Sequence, residues 1–446
     1  MGVVETRLSF KRILKLWLPL ASTWLMMAFE GPFLSAVIAR LPDETFNLAA
    51  YGVAFSFALI IEAPIIMMLS AATALVRDVP SYRKLRNFTF FLNGALTLVL
   101  VLLLIPPVFH RVMIDWIQLP AEVARLTRWA LWILLPWPGA IGYRRFFQGI
   151  LIRFNQTGKV ALGTLLRLGT VITVALSLAY WGSLPGVVVG AAALSAGVVV
   201  EALAGRWMAQ SIIRSLFRAP SPDIPSDTGK LTYRSIAAFY YPLALTALLA
   251  LAVHPIATFF MGRSRLPVES LAVLPVMNAL IFIFRSVGLS FQEVVIALLE
   301  ENRRYYPTIR KFSYLLGGAL LTALGLLAFT PLLDVWYQTI SGLNPTLSQL
   351  AKIPTRIMVW MPVLTLWISF QRAVLVVTRK TQPITLASVL EVGGISLILW
   401  VTIYHLDFVG VVAAALAFVL GRLLANGWLF FPVWKESRRF GGNAIL

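Results

Sequence analysis

The chain has 446 residues, 59% of them hydrophobic, and a mean hydropathy of +0.82, more apolar surface than a soluble domain can cover. Its formal charge of +19 could suggest nucleic acid, but the basic residues sit in short clusters between apolar runs, as in loops that face anionic lipid. The absence of cysteine excludes disulfides, thiol catalysis and cysteine-ligated metal.

A spanning helix needs about 20 mostly apolar residues. The chain offers twelve candidates, near 11–40, 46–76, 84–109, 121–152, 158–182, 186–215, 233–263, 268–299, 306–338, 346–377, 382–405 and 409–435. The first contains Glu30 and lacks a small-residue cleavage pattern, so it reads as a retained helix and not a signal peptide. Arg7, Lys11, Arg12 and Lys15 lead it. Arg77, Arg83, Lys84 and Arg86 fill the second connection, Arg303, Arg304, Arg310 and Lys311 the eighth, and Lys435, Arg438 and Arg439 the tail. Connections on the other side hold Asp43, Glu44, Asp115 and Asp407. This bias predicts a multi-pass protein of the cell (inner) membrane with both termini cytoplasmic.

The twelve helices are six written twice. Pro19-Leu20-Ala21-Ser22-Thr23 returns as Pro242-Leu243-Ala244-Leu245-Thr246, Pro32 as Pro255 and Arg40 as Arg263, each displaced by 223 (242 − 19). The same displacement carries Leu48-Ala49 onto Leu271-Ala272 and Phe147-Gln148 onto Phe370-Gln371. Small adjustments carry Gly186-Val187-Val188 onto Gly410-Val411-Val412 and Trp207 onto Trp428. The expected division is an N-terminal six-helix bundle over 1–217, a cytoplasmic linker over 218–232 rich in proline, and a C-terminal six-helix bundle over 233–446. Six is even, so both copies cross the membrane in one sense, related by a pseudo-two-fold along the membrane normal. That is the parallel-repeat class of secondary transporters, in which substrate binds between halves near the midplane.

An ionisable residue at the centre of a spanning helix costs at least about 2.5–3.5 kcal/mol, so it normally faces a partner or water. Glu30, Glu62, Glu201, Glu293, Glu391, Arg144, Arg145, Arg167, Arg285, Arg372, Arg422 and His254 all fall inside apolar runs. The duplication sets opposite signs at equivalent places: Glu62 maps onto Arg285, Arg167 to within one residue of Glu391, and Glu201 onto Arg422. Glu62 and Arg285 would then pair across the cleft, either as a permanent strut or as a gate that opens in one state.

Helical spacing gathers Thr164, Arg167, Thr170 and Ser177 on one stripe. Asn278, Arg285 and Gln292 form another, Arg422 and Asn426 a third, and Arg144 and Gln148 lie one turn apart. Serine and threonine alone would be interhelical glue, at about 0.6 kcal/mol per contact. Guanidinium is permanently charged and matches carboxylate or phosphate bidentately. Arg144, Gln148, Arg167, Asn278, Arg285 and Arg422 are therefore the candidate binding residues for a small-molecule anion. Glu30, beside Gly31 and Pro32 where a kink frees a carbonyl, is the first candidate for ion coupling, and Glu201 the second. The competing reading of Glu30 is a permanent pair with a neighbouring arginine, and His254 reads as structural.

No G-x-x-x-x-G-K-[ST] loop, H-E-x-x-H pair or G-x-S-x-G elbow occurs, and histidines at 110, 254 and 405 are too scattered for a metal site. The expectation is no enzyme, no metal and no cofactor beyond a proton or sodium gradient. The partners expected are the lipid bilayer and a small-molecule anion or lipid-linked substrate, with no nucleic acid, the chain acting as a monomer.

Over its whole length the sequence resembles the multidrug/oligosaccharidyl-lipid/polysaccharide (MOP) exporter superfamily, in its MATE-like architecture and in the first-helix acid next to proline. More narrowly it looks like the progressive ankylosis (ANK-type) branch. That likeness rests on Leu18-Pro19-Leu20 with Phe29-Glu30, Ala50-Tyr51-Gly52-Val53-Ala54 with Ser56 and Pro64, Gly149-Ile150-Leu151, and Tyr241-Pro242-Leu243-Ala244-Leu245. The resemblance implies an all-α fold of twelve helices in two bundles. It also implies export by rocker-switch alternating access driven by a proton or sodium gradient, and for the ANK branch exit of organic and phosphate-containing anions. MATE drug exporters take cations, which the arginine excess disfavours. A flippase for a lipid-linked saccharide is the runner-up, followed by a multidrug/H+ antiporter and, outside transport, a membrane scaffold using its charges only as struts.

Overall fold

The computed structural model describes residues 8–154, 156–218, 231–378, 380 and 382–438. Among these, eleven helices are long and apolar enough to cross a membrane. They are the first to third expected spans (Phe10–Ile38, Glu44–Leu75, Val79–Leu104), the fifth to eighth (Thr157–Trp181, Gly186–Arg218, Tyr233–Met261, Pro267–Glu301) and the ninth to twelfth (Arg303–Phe329, Pro345–Val377, Gln382–Tyr404, Gly410–Ser437). The fourth is helical but interrupted, as Ala121–Ile133 and Trp137–Arg153, because Pro136 and Pro138 bring no N–H to close the ladder there. The tenth has a milder break at the equivalent place, between Met358 and Met361, with Pro362 standing where Pro138 stands in the first copy. The expected linker lies largely outside the described residues.

The kink expected beside Pro32 is a break at Phe29, between Phe10–Ala28 and Glu30–Ile38. Pro32 has no N–H to return to the carbonyl of Ala28, and Glu30 opens the second segment. The seventh span carries Pro242 and Pro255 and still runs unbroken from Tyr233 to Met261.

The duplication is written in the backbone as well as in the sequence. Left-handed residues fall in equivalent pairs, Asp43 with Leu266, Gln118 with Gly342, and Gly182 with Asp407. The third and ninth spans are each followed by a π-helical turn, Arg111–Trp116 and Val335–Ile340. Each turn ends on matching bonds, Leu119 N–H to Met113 O and Leu343 N–H to Tyr337 O.

The chain forms two compact units, one of residues up to Ala36 with those from Arg263 onward, the other Val37–Gly262. This grouping differs from the sequence division at 1–217 and 233–446 in that the first helix of each copy belongs to the unit formed by the other five helices of the opposite copy. The anchors are equivalent residues, 17 and 240, again 223 apart. Trp17 packs edge-on against Phe291 and Phe312, and its Nε1–H donates to Ser290 Oγ at 2.9 Å. Tyr240 sets its ring against Phe88, and its hydroxyl donates to Pro64 O at 2.6 Å. A buried aromatic with a polar tip needs such an acceptor, and in both units the second helix of the other copy supplies it.

Candidate functional site

In the Val37–Gly262 unit, the fifth and sixth spans meet closely because Gly197 has no side chain: a Cβ there would lie 2.5 Å from Val171 Cγ2 and 3.3 Å from Arg167 O. In the other unit Gly421 meets the eleventh span in the same way, 2.5 Å from Ile395 Cγ1 and 3.1 Å from Glu391 O. These contacts fix the register at a displacement of 224 (421 − 197). Arg167 and Glu391 are therefore strict equivalents. Glu201 and Arg422 are not; they stand one helical turn apart, at the positions of Ala425 and Val198. The sign reversal holds nonetheless, because each reaches the opposite charge on the neighbouring helix.

Around Glu201, which is only 2% exposed, three donors converge. Arg144 Nη1 lies 2.5 Å from Oε2, Gln148 Nε2 donates to Oε1 at 3.0 Å, and Arg167 Nη1 stands 3.8 Å from Oε2. Helical spacing puts Arg144 and Gln148 on one face of Trp137–Arg153, and Gly163 leaves room beside the carboxylate. Glu62, also buried, accepts a hydrogen bond from Trp137 Nε1 and lies in the field of Arg144, Arg145 and Arg167. Three guanidinium groups thus share two carboxylates.

The second cluster belongs to the other unit. Arg422 Nε stands 2.7 Å from Glu391 Oε1, an ion pair whose alignment leaves the Nε–H without a hydrogen-bond acceptor. Arg285 Nε donates to Thr365 Oγ1 at 3.2 Å, and Arg372 Nη2 to Ser388 Oγ at 3.4 Å. Both arginines lie in the field of Arg422 and Glu391. Here three guanidinium groups share one carboxylate. Across the two clusters the Nε–H groups of Arg144, Arg145, Arg372 and Arg422 are buried with no acceptor in the protein. Buried donors are normally paired, so these groups have unused capacity to bind an anion.

Of the sequence candidates, the structure brings Arg144, Gln148, Arg167 and Glu201 together, and it sets Arg285 with Arg422. Glu62 and Arg285, read from the sequence as facing partners, each have neighbours inside their own unit, Trp137 for the one and Thr365 for the other. Asn278 is half-buried two turns before Arg285 on the eighth span. Asn426 spends its amide on the carbonyls of Leu364 and Arg422. Glu30 is buried in the first span, and Glu293 is exposed on the surface of the eighth. Trp137, Thr365 and Ser388 escaped the sequence reading, since an indole or hydroxyl in an apolar run has no charge to mark it.

The fold and the paired clusters define an all-α, multi-pass membrane protein built by duplication. Its fold is like that of MATE transporters. The chain is similar to an inward-facing multidrug resistance MATE family transporter of that superfamily, with TM-score 0.72, 15% identity, and 95% of this chain and 96% of that one covered. It is similar to the lipid II flippase MurJ in an inward closed conformation, with TM-score 0.67, 15% identity, and 95% and 90% covered. A MOP superfamily transporter from Pyrococcus furiosus, described as having a binding pocket of reverse polarity, matches with TM-score 0.59, 15% identity and 96% of each chain covered. No family model matches the chain, and no curated protein sequence matches it. The narrower likeness to the ANK-type branch gains no support from these neighbours.

Proposed function

We propose that the protein is a secondary active transporter of the MOP type, an exporter working by rocker-switch alternating access that moves an organic or phosphate-containing anion. The observation that carries this is the excess of guanidinium over carboxylate in both buried clusters, with four Nε–H groups unsatisfied. A scaffold would be better served by matched charges, because unpaired buried charge is costly. A cationic drug would be repelled from both clusters.

In the binding role, Arg144 and Arg167 hold an acidic group in competition with Glu201, and Arg285 and Arg422 do so in competition with Glu391. Glu30 carries the coupling proton or sodium ion, with Glu201 second.

Liposomes containing the purified protein and a panel of labelled anions provide the test. Uptake should fall at least tenfold in Arg285→Ala and Arg422→Ala, and Glu30→Gln should lose the dependence of rate on pH. Unchanged anion uptake in both arginine variants would reject the anion site. The likeness to MurJ favours a second reading, transfer of a lipid-linked saccharide, which movement of a fluorescent lipid-linked saccharide between leaflets would reveal in place of soluble anion flux.

A further inference from the structure

Within the Val37–Gly262 unit, the third and seventh spans leave between them a groove of about 410 Å³ lined by Asn87, Phe88, Phe91, Tyr233 and Ala237. Its floor is the edge-to-face contact of Phe88 with Tyr240, at 5.4 Å between ring centres. Its basic end is closed by Lys84, whose Nζ donates to Leu231 O at 2.7 Å and so ties the two helices together.

The walls are two exposed stripes at helical spacing, Asn87 and Phe91 on one side and Tyr233 and Ala237 on the other, with Tyr241 one turn beyond. Phe91 is 75% and Tyr241 69% exposed. Charge collects only where the groove begins. Arg86 bonds to the lining residue Asn87 through Nε and Nη2, at 3.4 and 3.1 Å, and Arg234 follows Tyr233 in the first turn of the seventh span. Asp78, the acid near this end, is engaged in capping Ser81 N–H at 2.8 Å.

We propose that this groove is a binding site for one anionic glycerophospholipid, its acyl chain between the third and seventh spans and its phosphate against Arg86 and Arg234. An outward aromatic groove in a membrane protein lies against lipid, and a basic cluster at one end selects a negative headgroup. Each basic residue near a membrane surface is worth about a fivefold preference for acidic lipid. Arg86 and Arg234 together therefore give about a thirtyfold preference for phosphatidylglycerol over phosphatidylcholine of the same chain length.

Native mass spectrometry of the purified full chain, titrated with each lipid, should show one phosphatidylglycerol retained per chain and a matching rise in melting temperature, with little of either for phosphatidylcholine. The double variant Arg86→Gln, Arg234→Gln should lose most of the preference. Ala237→Trp, which fills the groove and leaves every charge in place, should abolish retention. Arg234 and Ala237 are exposed and Arg86 is half-buried over the Tyr82 ring, so a melting temperature unchanged without lipid is required to establish that the variants fold. Equal retention of both lipids, or retention unaltered in either variant, overturns the proposal. Anion uptake by liposomes tests a different set of residues, so the two proposals stand or fall separately.

Discussion

Reversing the pair Glu391–Arg422 tests whether these charges act as a unit. At 2.7 Å, with side chains 10% and 13% exposed, the gross attraction at an effective dielectric constant near 20 is about 6 kcal/mol. Desolvation offsets most of it, so the pair adds little over an apolar packing of the same volume. Removing one partner is different. Glu391→Gln leaves Arg422 beside Arg285 and Arg372 with no carboxylate among them, at a cost of about 3–5 kcal/mol. For a unit of this size that is a fall in melting temperature of about 10 °C.

Glu391→Arg should be worse, since it turns attraction into repulsion at the same distance. The exchange Glu391→Arg with Arg422→Glu restores the pair, and the first copy shows that arginine on the fifth helix with glutamate on the sixth is a workable arrangement. The assay is thermal unfolding of the purified protein in detergent for wild type, both single variants and the exchange. The expected coupling is at least about 3 kcal/mol, with most of the lost melting temperature recovered. Additive losses, with the exchange as unstable as the two single variants together, would refute the reasoning.

Tyr240→Phe removes one hydrogen bond to Pro64 O and should cost about 1 kcal/mol, seen as a small fall in melting temperature. Trp17→Phe removes the bond to Ser290 Oγ and part of a buried ring as well, and should cost about 2–3 kcal/mol in the same assay. Gln118 is exposed and left-handed at φ 63°, where its counterpart is Gly342, so Gln118→Gly should stabilise by about 1 kcal/mol in the same assay. Gly288→Ala would place a Cβ 2.9 Å from Leu366 N on the tenth span, forcing the eighth and tenth helices apart. It should cost about 1–3 kcal/mol and, by moving Arg285 away from Thr365, lower anion affinity in an equilibrium binding measurement.

The sequence alone determined the solvent, the placing of the helical runs and the duplication, though not the break that divides the fourth run into Ala121–Ile133 and Trp137–Arg153. These depend on length and polarity summed over some 20 residues, and on a displacement that repeats whatever the chain does in three dimensions. It also marked every arginine and glutamate of the two clusters, because a charge inside an apolar run is conspicuous without coordinates.

What it could not give was who faces whom. Helical periodicity fixes the direction of a side chain around its own axis, but the neighbour on that side depends on packing. So Glu62 found Trp137, Glu201 drew in Arg144 and Gln148, and Arg422 came to Glu391 from one turn off the register the sequence suggests. The exchange of the first helices was equally hidden. Trp17 and Tyr240 each need a distant acceptor, and only the folded chain decides that the other copy provides it.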